Sequence, residues 1–240
     1  LVVLSADRPG AWIGQMDGQT LPQPGVFGGL VKKSVSLPEI KDSEDEWFCN
    51  RLINEALLEL NHHGQGPVHI NIPVSQPFFN FPTAEIPPAR VISRYEGNEA
   101  IHRFIRIFKQ YSRCMMVVGQ MNPKNALSRQ TAEALAPHFA WMTENISNQA
   151  APPNAIRHIE PVLAALGKDR WEEMRPDLLV TYGGHIISGR LKKFLRSCPP
   201  AEHWHIAPDG QVADVFQSLT AVVEMDPYRF LTETAECQGC

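Results

Sequence analysis

The sequence predicts an α/β protein: a doubly wound, mostly parallel sheet preceded by the C-terminal part of a second α/β domain. Three observations lead there. Beyond residue 100, short apolar runs of strand length alternate with apolar residues at helical spacing. A strand, a long loop, a strand, a helix and a further strand fill residues 1–72. Between these regions, residues 73–88 carry five prolines, which neither a helix nor a central strand tolerates.

Residues 1–5, Leu-Val-Val-Leu-Ser, read as a buried parallel strand. Residues 8–30 hold Gly10, Gly14, Gly18, Pro22, Pro24, Gly25, Gly28 and Gly29, so they form a long loop, and long loops in compact domains are usually functional. A short strand follows at 33–37. Ser43 and Glu46 have capping-box spacing, and Trp47, Leu52, Ile53, Ala56, Leu57 and Leu60 make one face of a helix that stops near Gly64. Residues 67–72 close this set as a strand. The linker is expected at 76–95, with Phe78, Phe79 and Phe81 laid against a domain surface, because three aromatics in a free linker would expose much apolar area.

In the region 96–240, Ile101, Phe104, Ile105, Phe108 and Tyr111 predict a helix, and 114–119 an apolar strand ending in Gly. Helices at about 123–138, 156–166 and 187–196 then alternate with strands at 139–143, 178–182 and 203–206. A strand at 221–224 and a helix at 227–236, with Pro227 at its first position, finish the chain.

The 240 residues carry 22 basic and 26 acidic side chains, a net charge of -4, and no basic stripe, so nucleic acid is not an expected partner. No apolar run approaches the ~20 residues that span a bilayer. Five cysteines, odd in number and irregular in spacing, argue against a secreted disulfide framework and for a reducing, cytoplasmic setting. The opening on a core-type strand without Met leads to the expectation of an excised segment of a longer protein.

Ala6-Asp7-Arg8-Pro9, the later Gly18-Gln19, and Val68-His69-Ile70-Asn71-Ile72-Pro73 after Gly66-Pro67 resemble the thiamine-diphosphate enzymes, most closely the MenD-type transferases of menaquinone biosynthesis. The resemblance implies that residues 1–75 end a pyrimidine-binding domain and that 96–240 form the central domain. It implies a parent enzyme that uses thiamine diphosphate and Mg2+ to decarboxylate 2-oxoglutarate and add the succinyl unit to isochorismate, assembled as a homo-oligomer. In that family a glutamate activates the cofactor and a Gly-Asp-Gly motif holds its metal; no Gly-Asp-Gly occurs here, so the isolated chain is expected to be inactive, without bound cofactor or metal.

Arg8 follows a strand end, where open α/β sheets place ligands, and its guanidinium can clamp a carboxylate; spacing alone also allows a surface arginine paired with Asp7 or Asp17. By resemblance Arg8 and Gln19 are substrate-binding or active-site residues. Tyr182-Gly183-Gly184-His185, running into Ser188-Gly189-Arg190, has the layout either of an anion-binding turn at a helix N-terminus or of a tight connection with no ligand. By resemblance Arg190 matches the second of a Lys-Arg pair that reaches the active site; Gly189 stands at the Lys position, and Lys192 or Lys193 would compensate. No catalytic residue is assigned.

His203-Trp204-His205 puts two imidazoles on one strand face, a polar face rather than a metal site in the absence of a third ligand. His62-His63 sits at a helix end, where protonation favours the dipole. Cys49, Cys114 and Cys198 read as small buried hydrophobes, and the terminal Cys237-Gln-Gly-Cys240 has redox or zinc spacing without a partner pair. Two other functions stay open: an FAD-binding enzyme of the acetohydroxyacid synthase or pyruvate oxidase type, and a non-catalytic ligand-binding or scaffold module.

Overall fold

The computed structural model describes residues 1–75, 84–124, 127–149 and 151–238. Phe78, Phe79, Phe81 and Cys240 lie outside the described residues. The chain divides into two units, Leu1–Val91 and Ile92–Cys240.

In the first unit, β1 (Val2–Asp7), β2 (Lys33–Ser36) and β3 (Val68–Pro73) form a parallel sheet in the order β1-β3-β2. Helix α1 (Ser43–Leu58) covers one face, where Val35, Ala56, Val68 and Ile70 form the core. The helix is capped by Asp42, whose carboxylate accepts the N–H groups of Glu44 and Asp45, and not by Ser43. A carboxylate one residue earlier reaches the same orphan donors and adds charge at the positive helix end. Leu57 is exposed and drops out of the predicted apolar face.

The first strand differs from its expectation. It is parallel but lies at the sheet edge, and Val2 and Leu4 are exposed, because α1 packs chiefly over β2 and β3. The opposite face of the sheet is polar: Ser5 and Asp7 of β1, His69 and Asn71 of β3, and Ser34 of β2 share it by the alternation of strand side chains. The loop 8–30, which contains only short 3-10 turns at Gly10–Trp12 and Gly28–Leu30, supplies Phe27, whose ring meets His69 edge-on at 4.9 Å.

The second unit is built on six parallel strands in the order β4-β9-β8-β7-β5-β6. They are β4 (Ser93–Glu96), β5 (Cys114–Val118), β6 (Ala140–Thr143), β7 (Leu178–Tyr182), β8 (Glu202–Ile206) and β9 (Ala221–Glu224). Helices α2 (Gly97–Phe108), α3 (Arg129–Leu135) and α6 (Pro227–Gln238) contribute Phe104, Leu135 and Phe230 to a core with Met116, Val118 and Val180. Helices α4 (Ile159–Leu166) and α5 (Gly189–Ser197) contribute Leu163, Leu191 and Phe194 to the opposite face, with Met115, Val117 and Leu179. Consecutive strand residues thus point into different cores, which is the doubly wound arrangement expected.

Strand β4 falls inside the stretch expected as linker, so that stretch ends earlier than residue 95. Its four residues carry only partial burial and follow the prolines, and pairing with β9 is what makes them a strand. Helices α3 and α4 are shorter than predicted; α3 begins at a Ser128 cap that accepts Thr131 N–H, well after Pro123.

Candidate functional site

From β5 the chain steps outward to β6, then crosses back to lay β7 on the other side of β5, so the topological switch point lies between β5 and β7. Ligands of open α/β sheets bind at the carboxyl ends of such strands. Here the two strand ends are joined: Gly119 N donates to Tyr182 O, Gln120 N to His185 O, and Gly184 N to Gln120 O, at 2.8–2.9 Å. Close approach explains the glycines. A Cβ on Gly119 would stand 2.3 Å from the Gly184 carbonyl, and Gly183 has φ +86°.

The turn Tyr182-Gly183-Gly184-His185 is thus tied to the neighbouring loop by one N–H of its own, that of Gly184, and by two of its carbonyls. The start of α5 is occupied as well. Glu144 accepts Ile187 N and Ser188 N; Glu160 accepts the Ser188 hydroxyl at 2.7 Å and Arg190 N at 3.0 Å. These donors hold the Glu160 carboxyl below its ordinary range, Arg190 N–H first and the Ser188 hydroxyl next. At the helix start, two carboxylates of the chain itself take the N–H groups of Ile187, Ser188 and Arg190. The Arg190 side chain, half exposed, pairs with Glu160 at 3.1 Å.

Beside this connection, a cleft of about 450 Å3 opens at the ends of β7 and β8, with His205 and Lys192 on its wall. His205 is 8% exposed, and its Nδ1 lies 2.9 Å from Thr181 Oγ1; the same hydroxyl lies 2.9 Å from His203 Nε2, and His203 Nδ1 lies 3.2 Å from Ser218 Oγ. Burial pushes the His205 pKa down to about 4. The two histidines form a polar strand face, as expected from the sequence. Their link through Thr181 was not foreseen; the signal was a threonine at the register position opposite His205.

In the first unit, Arg8 stands at the end of β1 in a cleft of about 370 Å3 lined by Pro9, Trp12, Asp17, Val74 and Ser75. Its Nε is 3.7 Å from Asp17 Oδ2, with the Arg8 side chain 25% exposed. Gln19 is exposed and lies in the left-handed region at φ 63°, which a non-glycine residue rarely adopts. Asp7 organises the turn: one oxygen accepts Arg8 N at 2.8 Å and the other accepts Asn71 Nδ2 at 3.0 Å. Gln23 of the loop donates to Ala6 O at 2.9 Å.

Behind Asp7 runs a directed chain of hydrogen bonds. Ser5 donates to Asn71 Oδ1 at 2.8 Å, so Ser5 Oγ accepts from His69 Nε2 at 2.7 Å. On the other side of the ring, His69 Nδ1 lies 2.9 Å from Ser34 Oγ. Sequence reasoning singled out this strand without assigning its polar residues. The signal was present as Ser5-x-Asp7 and His69-x-Asn71, two polar alternations in otherwise apolar strands.

Two expectations for the cysteines and paired histidines are resolved locally. Cys49, Cys114 and Cys198 are buried thiols, and Cys237 is exposed. His62 Nδ1 meets Glu59 at 3.0 Å at the end of α1.

No protein-family model matches the chain. Among curated relatives, the 2-succinyl-5-enolpyruvyl-6-hydroxy-3-cyclohexene-1-carboxylate synthase of Bacteroides fragilis is 55% identical over 240 residues. Those of Bacteroides thetaiotaomicron and Phocaeicola vulgatus are 54% and 53% identical over 239 residues. Each alignment covers 98% of this chain and 43% of the relative, so the chain spans less than half the length of the proteins it matches. A solved structure from Mycobacterium smegmatis, described as thiamin diphosphate-dependent, is 15% identical with a TM-score of 0.33, covering 98% of this chain and 45% of that one. That superposition is too loose to bear on function.

Proposed function

The chain is a relative of the 2-succinyl-5-enolpyruvyl-6-hydroxy-3-cyclohexene-1-carboxylate synthases, and from that premise we propose that it is part of a thiamine-diphosphate-dependent transferase of menaquinone biosynthesis. The observation that carries this is 55% identity sustained along 98% of the chain, through both units. The parent enzyme decarboxylates 2-oxoglutarate and adds the succinyl unit to isochorismate, in the cytoplasm. Thiamine diphosphate with Mg2+ supplies the carbanion chemistry when bound. No set of residues in this sequence matches the cofactor's glutamate and Gly-Asp-Gly anchors, so no step through the cofactor is assigned to it.

What these residues do is bind and orient. Both substrates carry carboxylates, and Arg8 offers a guanidinium at a strand end. Its pairing with Asp17 at 3.7 Å is long, leaving its donors available to a substrate carboxylate. Asp7 fixes the backbone from which Arg8 projects. Gln19 adds an amide on the same loop, held in a conformation that the surrounding turn must enforce. Arg190 is the second proposed substrate cation; its exposed pairing with Glu160 is weak enough to be exchanged for a ligand carboxylate. The domain assignments, 1–75 to the pyrimidine-binding domain and 96–240 to the central domain, and the homo-oligomeric state belong to the same proposal.

The test is kinetic. The complete parent protein should consume isochorismate only with 2-oxoglutarate, thiamine diphosphate and Mg2+ present, and Arg8→Ala should lower kcat/KM by a factor of ~10 to 1,000. Turnover without thiamine diphosphate would sink the proposal, and an Arg8→Ala enzyme as fast as the parent would remove Arg8 from the site.

A further inference from the structure

The polar face of the first sheet ends on the residue that presents Arg8. The register of β1 with β3 closes at Asp7 opposite Pro73, and just beyond it the Arg8 N–H bonds the Asp7 side chain, Oδ1 at 2.8 Å. Asp7 is 8% exposed, and a carboxylate withdrawn from water needs donors on both oxygens. Oδ2 takes its donor from Asn71 Nδ2 at 3.0 Å, and Asn71 is itself only 3% exposed. In the ladder Asn71 stands opposite Ser5, so it reaches Asp7 diagonally from inside the sheet, while Arg8 lies past the strand end.

The neighbours of Asn71 fix its orientation. A carboxylate only accepts, so the amide turns its NH2 to Asp7 and its oxygen to Ser5, whose hydroxyl donates to it at 2.8 Å. Ser5 Oγ in turn accepts from His69 Nε2 at 2.7 Å, and the buried His69 ring is met edge-on by Phe27 of the loop. A flipped amide would set Oδ1 against Asp7 Oδ2, acceptor against acceptor. The carboxylate is thereby held in one orientation. Without the Asn71 NH2 it turns to find another donor for Oδ2, with Gln23 Nε2 standing 3.4 Å from Oδ1 to capture it, and the turn draws Oδ1 away from Arg8 N.

We propose that Asn71 is a positioning residue for Arg8: through Asp7 it sets the direction in which the guanidinium leaves β1 toward a substrate carboxylate, with Ser5 and His69 holding the Asn71 amide. This rests on the reading of Arg8 as a substrate cation. It adds that a side chain of the sheet interior, out of reach of the substrate, governs how well that cation engages it. A guanidinium that clamps a carboxylate through two parallel hydrogen bonds tolerates little change of direction.

The experiment is a double-mutant cycle in the complete parent enzyme with thiamine diphosphate, Mg2+ and both substrates: the parent, Arg8→Ala, Asn71→Leu and the double variant. Leu keeps roughly the volume of Asn and removes both hydrogen bonds. Rates are taken per folded molecule, measured by circular dichroism. Asn71→Leu should reproduce the kinetic signature of Arg8→Ala, the same parameter changed for the same substrate, and lower kcat/KM about tenfold to a hundredfold. In the Arg8→Ala background it should lower kcat/KM by less than about twofold, because no guanidinium remains to be positioned. Equal losses in both backgrounds, a change confined to the other substrate, or a folded Asn71→Leu enzyme as efficient as the parent would reduce Asn71 to a packing residue and overturn the inference, while leaving Arg8 in the site. An Arg8→Ala enzyme as fast as the parent would remove the reading of Arg8 and this inference together. Should Asn71→Leu fail to fold, Ser5→Ala, which frees the Asn71 amide to flip, goes through the same cycle; a loss that vanishes in the Arg8→Ala background supports the inference, and no loss or an equal loss in both backgrounds overturns it.

Discussion

At Asp7 the two oxygens of one carboxylate hold two different pieces of the first unit: the Arg8 backbone and the Asn71 amide. Replacing Asp7 by Asn turns one acceptor into an N–H2 that faces another N–H2, so Asp7→Asn should cost the first unit about 1 to 3 kcal/mol, measured as a shift of the urea midpoint. Arg8→Ala removes only a partly exposed, 3.7 Å ion pair and should change stability by less than about 1 kcal/mol. The contrast separates the residue that builds the turn from the residue it presents. His205 gives a prediction in pH. Its folded pKa, about 4, lies below the ordinary 6.5, so the unfolded chain takes up the proton first. Stability from this group is present above pH 6.5 and is lost as pH falls toward 4, a change of about 3 kcal/mol when complete. Asp209 and Asp214 oppose the desolvation and reduce it. Urea unfolding at pH 7.5 and 4.5 should show this loss, and His205→Gln should remove it; an equal slope in the variant would contradict the assignment.

The helix α5 shows how an element's end is closed by its own chain. Four orphan N–H groups at a helix start attract anions, and here Ser188 caps Leu191 N while Glu160 takes Arg190 N. Because Glu160 has a lowered pKa, its contribution is present above the normal carboxylate range and is lost as pH falls through its depressed folded value. Glu160→Gln should destabilise the second unit by about 0.5 to 1 kcal/mol, a figure kept small because the side chain is 48% exposed. Arg190→Ala should cost no more than about 1 kcal/mol for the same reason. Chemical denaturation of both variants checks these values, and a loss of 3 kcal/mol or more at Arg190 would mark it as a buried structural cation.

As a whole, the chain distributes its stabilising surface unequally. The second unit has six strands with a core on each face, including fully buried Trp204, Phe104, Phe194 and Phe230. Among its described residues the first has three strands, one α-helix and a four-residue buried cluster, with apolar side chains exposed along β1. Residues 92–240 expressed alone should therefore unfold cooperatively, whereas residues 1–91 alone should show little protected structure. Amide hydrogen exchange on the two pieces measures this, and strong protection in residues 1–91 would refute it.

Apolar periodicity alone determined most of this fold. The strands β5, β7 and β9 are runs so apolar that no exposed placement is possible, and the helices between them follow from one-sided spacing, so the doubly wound class was legible. Edge strand β4 was not, because Ser93-Arg94-Tyr95-Glu96 has no pattern of its own and becomes a strand by pairing with β9. The site divides in the same way. Arg8 after a strand end was legible because position along a parallel strand is a property of sequence. The partners that give each residue its chemistry were not: Glu160 lies 30 residues from Arg190, and Asn71 lies 64 from Asp7. Only the tertiary structure decided that two carboxylates fill the start of α5 and that Thr181 joins His203 to His205, because hydrogen bonds and ion pairs depend on distances in space that no local spacing encodes.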